Sequence, residues 1–281
     1  FMNHLGLYIH VPFCDGKCPY CDFYSVNATA EVFNKYTEKV CETLKNYGKN
    51  SQRLFETVYF GGGTPSLLGS ENLAKIINTV KDNLKSSLRE VTLEVNPTTL
   101  PTLDLKMLKG NGFNRLSIGL QSAVDGELKM LGRRHYVKDA ENTIKLAKKA
   151  GFSNISLDLM IATPGQTLKS LKESIDFCVS QEVQHISAYL LKIEKGTQFY
   201  ENRSKLWLKS ESEEADMYLF LVSELQKNGF KQYEISNFAK EGYSSEHNLK
   251  YWNSQEYLGI GPSAHSFING KRFFYPRSIK D

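Results

Sequence analysis

The chain has 281 residues, of which 23% are charged, 12% are aromatic and 8 are proline, and its formal net charge is +4. That suits one large domain, or one domain with a small appendage, and argues against a disordered chain. It excludes the concentrated basic face of a nucleic-acid binder, and no run approaches the roughly 18 apolar residues of a membrane span. No basic-then-apolar leader is present, so no secretory signal is expected; Phe1 precedes Met2, and Met2 reads as the natural start. The expected setting is cytoplasmic, with peripheral contact to a membrane left open.

In chain order, Leu5 to Val11 alternates as a strand, with Leu5, Leu7, Ile9 and Val11 on one face and Tyr8 and His10 on the other. A cysteine-rich loop follows. Ala28 to Tyr47 reads as a helix presenting Phe33, Tyr36, Val40, Leu44 and Tyr47. Phe55 to Phe60 is a strand that runs into Gly61-Gly62-Gly63-Thr64-Pro65, and Ser70 is the expected cap of the next helix. Glu90 to Val95 is a strand closed by Asn96-Pro97, with a short helix after Thr102. Arg115 to Leu120 is a strand, followed by Gln121-Ser122, and Val137 to Ala150 is a helix ending at Gly151. Asn154 to Met160 is a strand, Leu168 to Val179 a helix, His185 to Ile193 a strand, and a helix lies near Glu213 to Gln226. Six strand-then-helix units predict a parallel α/β sheet. Spacing alone does not separate a doubly wound sheet from an open barrel. In either, the strand ends that carry cysteines, glycines, Glu94, Gln121, Asp158 and Pro164-Gly165 would converge on one mouth.

The cysteines give the sharpest chemical signal. Cys14, Cys18 and Cys21 lie within eight residues, whereas Cys41 and Cys178 are isolated and read as small buried hydrophobes. A disulfide framework would be denser, and zinc would need a fourth close ligand that no later CxxC pair supplies. Three thiolates are one fewer than a fully thiolate-ligated [4Fe-4S] cluster takes. The three-then-two spacing is the signature of the radical S-adenosylmethionine (SAM) superfamily. That resemblance implies a cluster whose fourth iron is open to the amino and carboxylate groups of SAM.

Tyr8-Ile9-His10-Val11-Pro12-Phe13-Cys14, with Gly61 to Pro65, resembles the HemN/HemW group within that superfamily. Gly119 to Ser122, Asp158 to Thr167 and Tyr233 to Ala239 extend the resemblance over nearly the whole chain. The segment His247-Asn248-Leu249-Lys250-Tyr251-Trp252 is similar to the His-Asn-x-x-Tyr-Trp motif of the haem-chaperone branch. The resemblance implies a partial, six-unit (β/α) barrel over residues 1–228, and a C-terminal extension over 229–281 that is shorter than usual in the group and reads as truncated. It also implies one-electron reduction of SAM by the cluster to methionine and a 5′-deoxyadenosyl radical, chemistry that the protein orients and shields.

By the same resemblance, the SAM contacts are Tyr8, Tyr20, Gly61, Gly62, Gly63, Thr64, Glu94, Gln121, Arg133, Asp158 and Ala188. The glycines would let the backbone approach the methionine end, and Arg133 could pair with the SAM carboxylate, although Arg134 is adjacent. For Tyr8 a barrel-lining role competes, and for Glu94 a solvated strand end. His10 reads as a bonded interior residue, and His135 and His185 have no partner pattern. His247 is a candidate axial haem ligand, with Tyr251 and Trp252 as faces for the macrocycle; a structural loop with core aromatics is the competing reading. His265 stands in reserve. Coproporphyrinogen III dehydrogenases carry a fourth cysteine two residues after the third, where this chain has Phe23. The expected function is therefore a haem-binding chaperone that passes haem to an acceptor protein. SAM-dependent oxidative decarboxylation of coproporphyrinogen III is the alternative, and a structural zinc protein a third reading.

Overall fold

The alternation read from the sequence places one row of every strand against helices and leaves the other row facing inward. A computed structural model describes residues 4–280, so Phe1 and Met2 lie outside it. The elements are β1 (His4–Val11), α1 (Ala30–Asn50), β2 (Leu54–Gly62), α2 (Gly69–Asn83), β3 (Ser86–Val95), α3 (Leu105–Gly110) and β4 (Arg115–Gln121). They continue with α4 (Asp125–Met130), α5 (Val137–Lys149), β5 (Ile155–Ile161), α6 (Leu168–Ser180), β6 (His185–Leu190), α7 (Gln198–Glu201) and α8 (Glu211–Lys227). The last part holds β7 (Lys231–Gln232), β8 (Asn237–Ala239), α9 (Glu246–Trp252), β9 (Tyr257–Ile260), β10 (His265–Ile268) and β11 (Lys271–Phe274).

All eleven strands form one sheet in the order β11-β10-β9-β1-β2-β3-β4-β5-β6-β8-β7. Strands β1 to β6 pair in parallel in sequence order, and β9 adds a parallel neighbour to β1. The edges are antiparallel: β10 and β11 on one side, β8 and β7 on the other. The sheet does not close on itself, and this is the unclosed α/β radical SAM arrangement expected from the resemblance. Residues after 229 supply strands to both edges.

The outward rows are apolar. Leu7, Ile9, Val58, Phe60, Val91, Leu93, Leu116, Ile118, Leu157 and Ile186 are all buried under the helices. Full burial of each such side chain contributes roughly 1.5–3 kcal/mol. The inward rows are polar, and the register aligns them: Tyr8, Tyr59, Thr92 and Arg115 in one row, Glu94, Ser117, Ser156 and His185 in another. Cys41 and Cys178 are buried in the apolar layer, as expected of small hydrophobes.

Three local expectations need correction. Ser70 does not cap α2, which begins at Gly69 with no side-chain cap; the Ser70 hydroxyl instead accepts from the Asp104 amide at 2.7 Å, tying α2 to the segment before α3. The sixth strand ends at Leu190, not Ile193, because beyond it the chain turns away to pack Leu191 against Phe199 and Leu131. The five short strands after α8 were not anticipated, being too short to show a period. Among the described residues no helix is long and apolar enough to cross a membrane.

Candidate functional site

The cysteine loop leaves the end of β1 and is stitched to the next strand end by backbone. The Gly63 amide donates to the Val11 carbonyl at 2.8 Å and the Thr64 amide to the Phe13 carbonyl at 2.7 Å. The Val26 amide donates to Pro12 at 2.8 Å and the Cys14 amide to Val26 at 3.0 Å, closing the loop at its base. Two of the three glycines are explained by this packing. A Cβ on Gly63 would lie 2.5 Å from the Phe13 carbonyl oxygen, and Gly62, at φ +114°, would meet the His10 ring at 2.7 Å. Gly61 is the one that faces the lumen, toward Tyr59, Glu94 and Tyr8.

Cys14, Cys18 and Cys21 are free, half-buried thiols on this loop. Among the described residues no three His, Cys, Asp or Glu side chains converge on a point that would hold one metal ion. A cluster that spreads three thiolates over three irons does not need such a point, so the donor set suits it better than a lone zinc ion. The surroundings suit an anionic cluster. The Arg133 guanidinium donates to Cys18 Sγ at 3.6 Å, to Asn96 Oδ1 at 2.6 Å and to the Gly119 carbonyl at 3.1 Å, and its Nε is buried without a partner. Arg134 points outward and pairs with Asp15 at 3.4 Å, which separates the two adjacent arginines. Asn96 also donates to Thr64 Oγ1 at 3.0 Å, within 3.5 Å of which lies Cys14 Sγ. Tyr20 packs on Phe199 and so joins a second apolar cluster that anchors the far side of the loop.

Beside the loop, the lumen holds two carboxylates. Burial raises Glu94 to about 7, opposed by the hydrogen bond from Tyr59 at 2.8 Å and reinforced by Asp158. Burial also raises Asp158, whose oxygens accept from the Ser117 hydroxyl at 3.0 and 3.2 Å. Gln121 ends β4 with φ +70°, a left-handed turn that is strained for a residue with a Cβ. Tyr8 lines the lumen and bonds His10 Nδ1 at 3.0 Å. Ala188 lies in the outward apolar row, and its amide donates to the Ser236 carbonyl at 2.7 Å.

The opposite end of the lumen is closed by α9. Glu90 accepts from the Ser245 hydroxyl and from the amides of Glu246 and His247, at 2.9–3.1 Å. His247 is 1% exposed and stacks on Tyr59. Its Nδ1 bonds Thr57 at 2.8 Å and its Nε2 bonds the Tyr251 hydroxyl at 2.8 Å. Burial, with Lys250 and Arg115 nearby, pushes the imidazole down to about 3. Both ring nitrogens are thus engaged, while Trp252 is half exposed. His265 differs: it is exposed on β10, stacked on the exposed Phe274 at 5.3 Å. His185 bonds Ser156 and Tyr233, and burial lowers it well below the ordinary range.

Asn96, Tyr59, Ser117, Glu90 and Arg115 were not singled out from the sequence. The signal that could have found them was present: in otherwise apolar strands every second residue is polar, as in Glu90, Thr92 and Glu94.

A family profile described as the Radical SAM superfamily matches residues 8–178. The chain is 42% identical over 270 residues to a protein named heme chaperone HemW from Bacillus subtilis (strain 168), covering 94% of this chain and 71% of that one. It is 37% identical to heme chaperone HemW of Lactococcus lactis subsp. lactis (strain IL1403), covering 95% and 70%. Among solved structures, coproporphyrinogen III oxidase (HemN) from Escherichia coli superposes with a TM-score of 0.85 at 21% identity, covering 99% of this chain and 68% of that one, which shows a shared fold.

Proposed function

The chain belongs to the radical SAM superfamily, in its HemW family, and from that premise we propose a haem chaperone that carries a [4Fe-4S] cluster and SAM and passes haem to an acceptor protein in the cytoplasm. The observation that carries this reading is the 42% identity to a heme chaperone over 94% of the chain. Phe23, 68% exposed on the cluster loop, supports it, because it stands where a decarboxylase of the HemN type would carry a fourth thiol.

Cys14, Cys18 and Cys21 would hold the cluster, which when bound supplies one electron to the SAM sulfonium. Arg133 would balance the cluster's charge and meet the SAM carboxylate. Glu94, Gln121 and Asp158, with the Gly61–Thr64 turn, would bind the rest of SAM, and Tyr8 and Tyr20 would pack beside it. A cation that Glu94 faces favours its ionised form, so SAM and a proton compete for this carboxyl.

For haem, the candidates divide by accessibility. His247, Tyr251 and Trp252 form one set, and there His247 ligates iron only once Tyr251 releases Nε2. His265, open and flanked by Phe274, forms the other. The test is anaerobic haem titration of the cluster-loaded protein, following the Soret band, in parallel with coproporphyrinogen III plus SAM and reductant. Haem should shift the Soret band, and the shift should weaken in the His→Ala variant at the true ligand. Catalytic formation of protoporphyrinogen IX would replace the chaperone reading with the decarboxylase one.

A further inference from the structure

Three side chains form an unbroken line from one cluster cysteine to another. Arg133 Nη1 donates to Cys18 Sγ at 3.6 Å, and its Nη2 donates to Asn96 Oδ1 at 2.6 Å. Asn96 Nδ2 donates to Thr64 Oγ1 at 3.0 Å, and Thr64 Oγ1 lies 3.5 Å from Cys14 Sγ. The three residues come from separate places: Thr64 follows β2, Asn96 follows β3, and Arg133 lies between α4 and α5. A Cβ on Gly119 would lie 3.2 Å from both Arg133 Nη2 and Asn96 Oδ1, so the glycine there leaves the central pair its room.

Hydrogen-bond chemistry gives this line a direction. A guanidinium has donors only, so the Asn96 amide must turn Oδ1 toward Arg133 and Nδ2 toward Thr64. The buried Thr64 hydroxyl thus accepts from Asn96, and its own proton is left for Cys14 Sγ. A cysteine that ligates iron is a thiolate with no proton to give, which sets the same direction from the other end. Both thiolates therefore accept, Cys18 from Arg133 and Cys14 from Thr64. Donors aimed at cluster sulfurs stabilise the reduced, more negative state and raise its potential.

We infer that Asn96 is a positioning residue, one that holds Arg133 and Thr64 as donors to the Cys18 and Cys14 thiolates and so raises the reduction potential of the cluster. It acts through the two residues it joins. Without it Arg133 loses its shortest bond and keeps the Gly119 carbonyl at 3.1 Å, and the Thr64 hydroxyl loses the donor that aims its proton. The inference rests on the cluster assignment and stands whether or not the chain carries haem.

The test is an anaerobic redox titration of the full cluster-loaded chain without SAM, followed by electron paramagnetic resonance, with iron counted in every sample. Asn96→Leu and Thr64→Val should each shift the one-electron reduction equilibrium about tenfold toward the oxidised cluster, a midpoint about 59 mV lower. The double variant should shift no further than Asn96→Leu alone, because both act on one chain of bonds. Thr64→Ser keeps the hydroxyl and should keep the potential. Thr64→Val keeps the shape, so an unchanged potential there overturns the relay even if Asn96→Leu fails to load iron. Additive shifts in the double variant, or a potential kept by Val and lost by Ser as packing alone would give, also overturn it. Absence of cluster iron from the unaltered protein would overturn the cluster assignment, and the relay with it.

Discussion

The two ends of the lumen are built to opposite rules. At the mouth, three half-buried thiols share a loop held by backbone hydrogen bonds at its base, and the Arg133 Nε beside them is buried without a partner. At the far end, α9 arrives with nearly every polar group paired: Glu90 takes three donors, His247 is bonded at both nitrogens, and Lys250 pairs with Glu56 at 3.3 Å. Saturated polar groups mark where the protein completes itself. By that rule the His-Asn-x-x-Tyr-Trp segment is first a structural closure.

The sharpest break between the two ends is predicted at the cysteines. Cys18→Ala should lose the cluster iron and its brown absorbance while the melting temperature of the apoprotein stays the same. Full iron retention would remove the mouth from the comparison. Next is the closure itself: Glu90→Ala strips the acceptor from three donors and should cost about 3 kcal/mol of stability by denaturant unfolding. A change within experimental scatter would mean that α9 is not held from Glu90.

A third, smaller effect depends on pH. His247 is depressed to about 3 in the fold against an ordinary value near 6.5, so it folds neutral. Its contribution is present above pH 6.5 and is lost as pH falls toward 3, because the unfolded chain takes the proton first. Between pH 7 and pH 5 the unaltered protein should lose about 2 kcal/mol more than His247→Gln. Parallel stability curves for the two proteins would contradict this. The smallest effect lies at the mouth. Glu94 is raised to about 7, so its ionised fraction climbs between pH 6 and pH 8. SAM affinity should rise about tenfold over that range and flatten in Glu94→Gln, by calorimetry at fixed ionic strength. The same carboxyl disfavours folding as pH rises from about 4.5 to about 7 and levels off above that, so Glu94→Gln should be the more stable protein at pH 8.

The cysteine loop was legible because ligand spacing is local: three thiols within eight residues must lie on one loop in any fold. The six-unit alternation was legible for a similar reason, since a strand or helix declares its period within its own length. Arg133 could not be told from Arg134 by spacing, because one residue of offset decides which side chain turns toward Asn96 and which toward Asp15. His247 looked like an open ligand because a sequence does not show what fills a ring's nitrogens, and Thr57 lies 190 residues away. Arg115 passed as an ordinary strand start, because its burial exists only once β4 lies inside the sheet. Sequence by itself determined the six strand-then-helix units, the apolar layer and the gathering of three thiols on one loop, all set by short-range pattern. Tertiary structure alone decided which polar groups are satisfied and which are left waiting, because that depends on long-range pairings and on burial that no local pattern records.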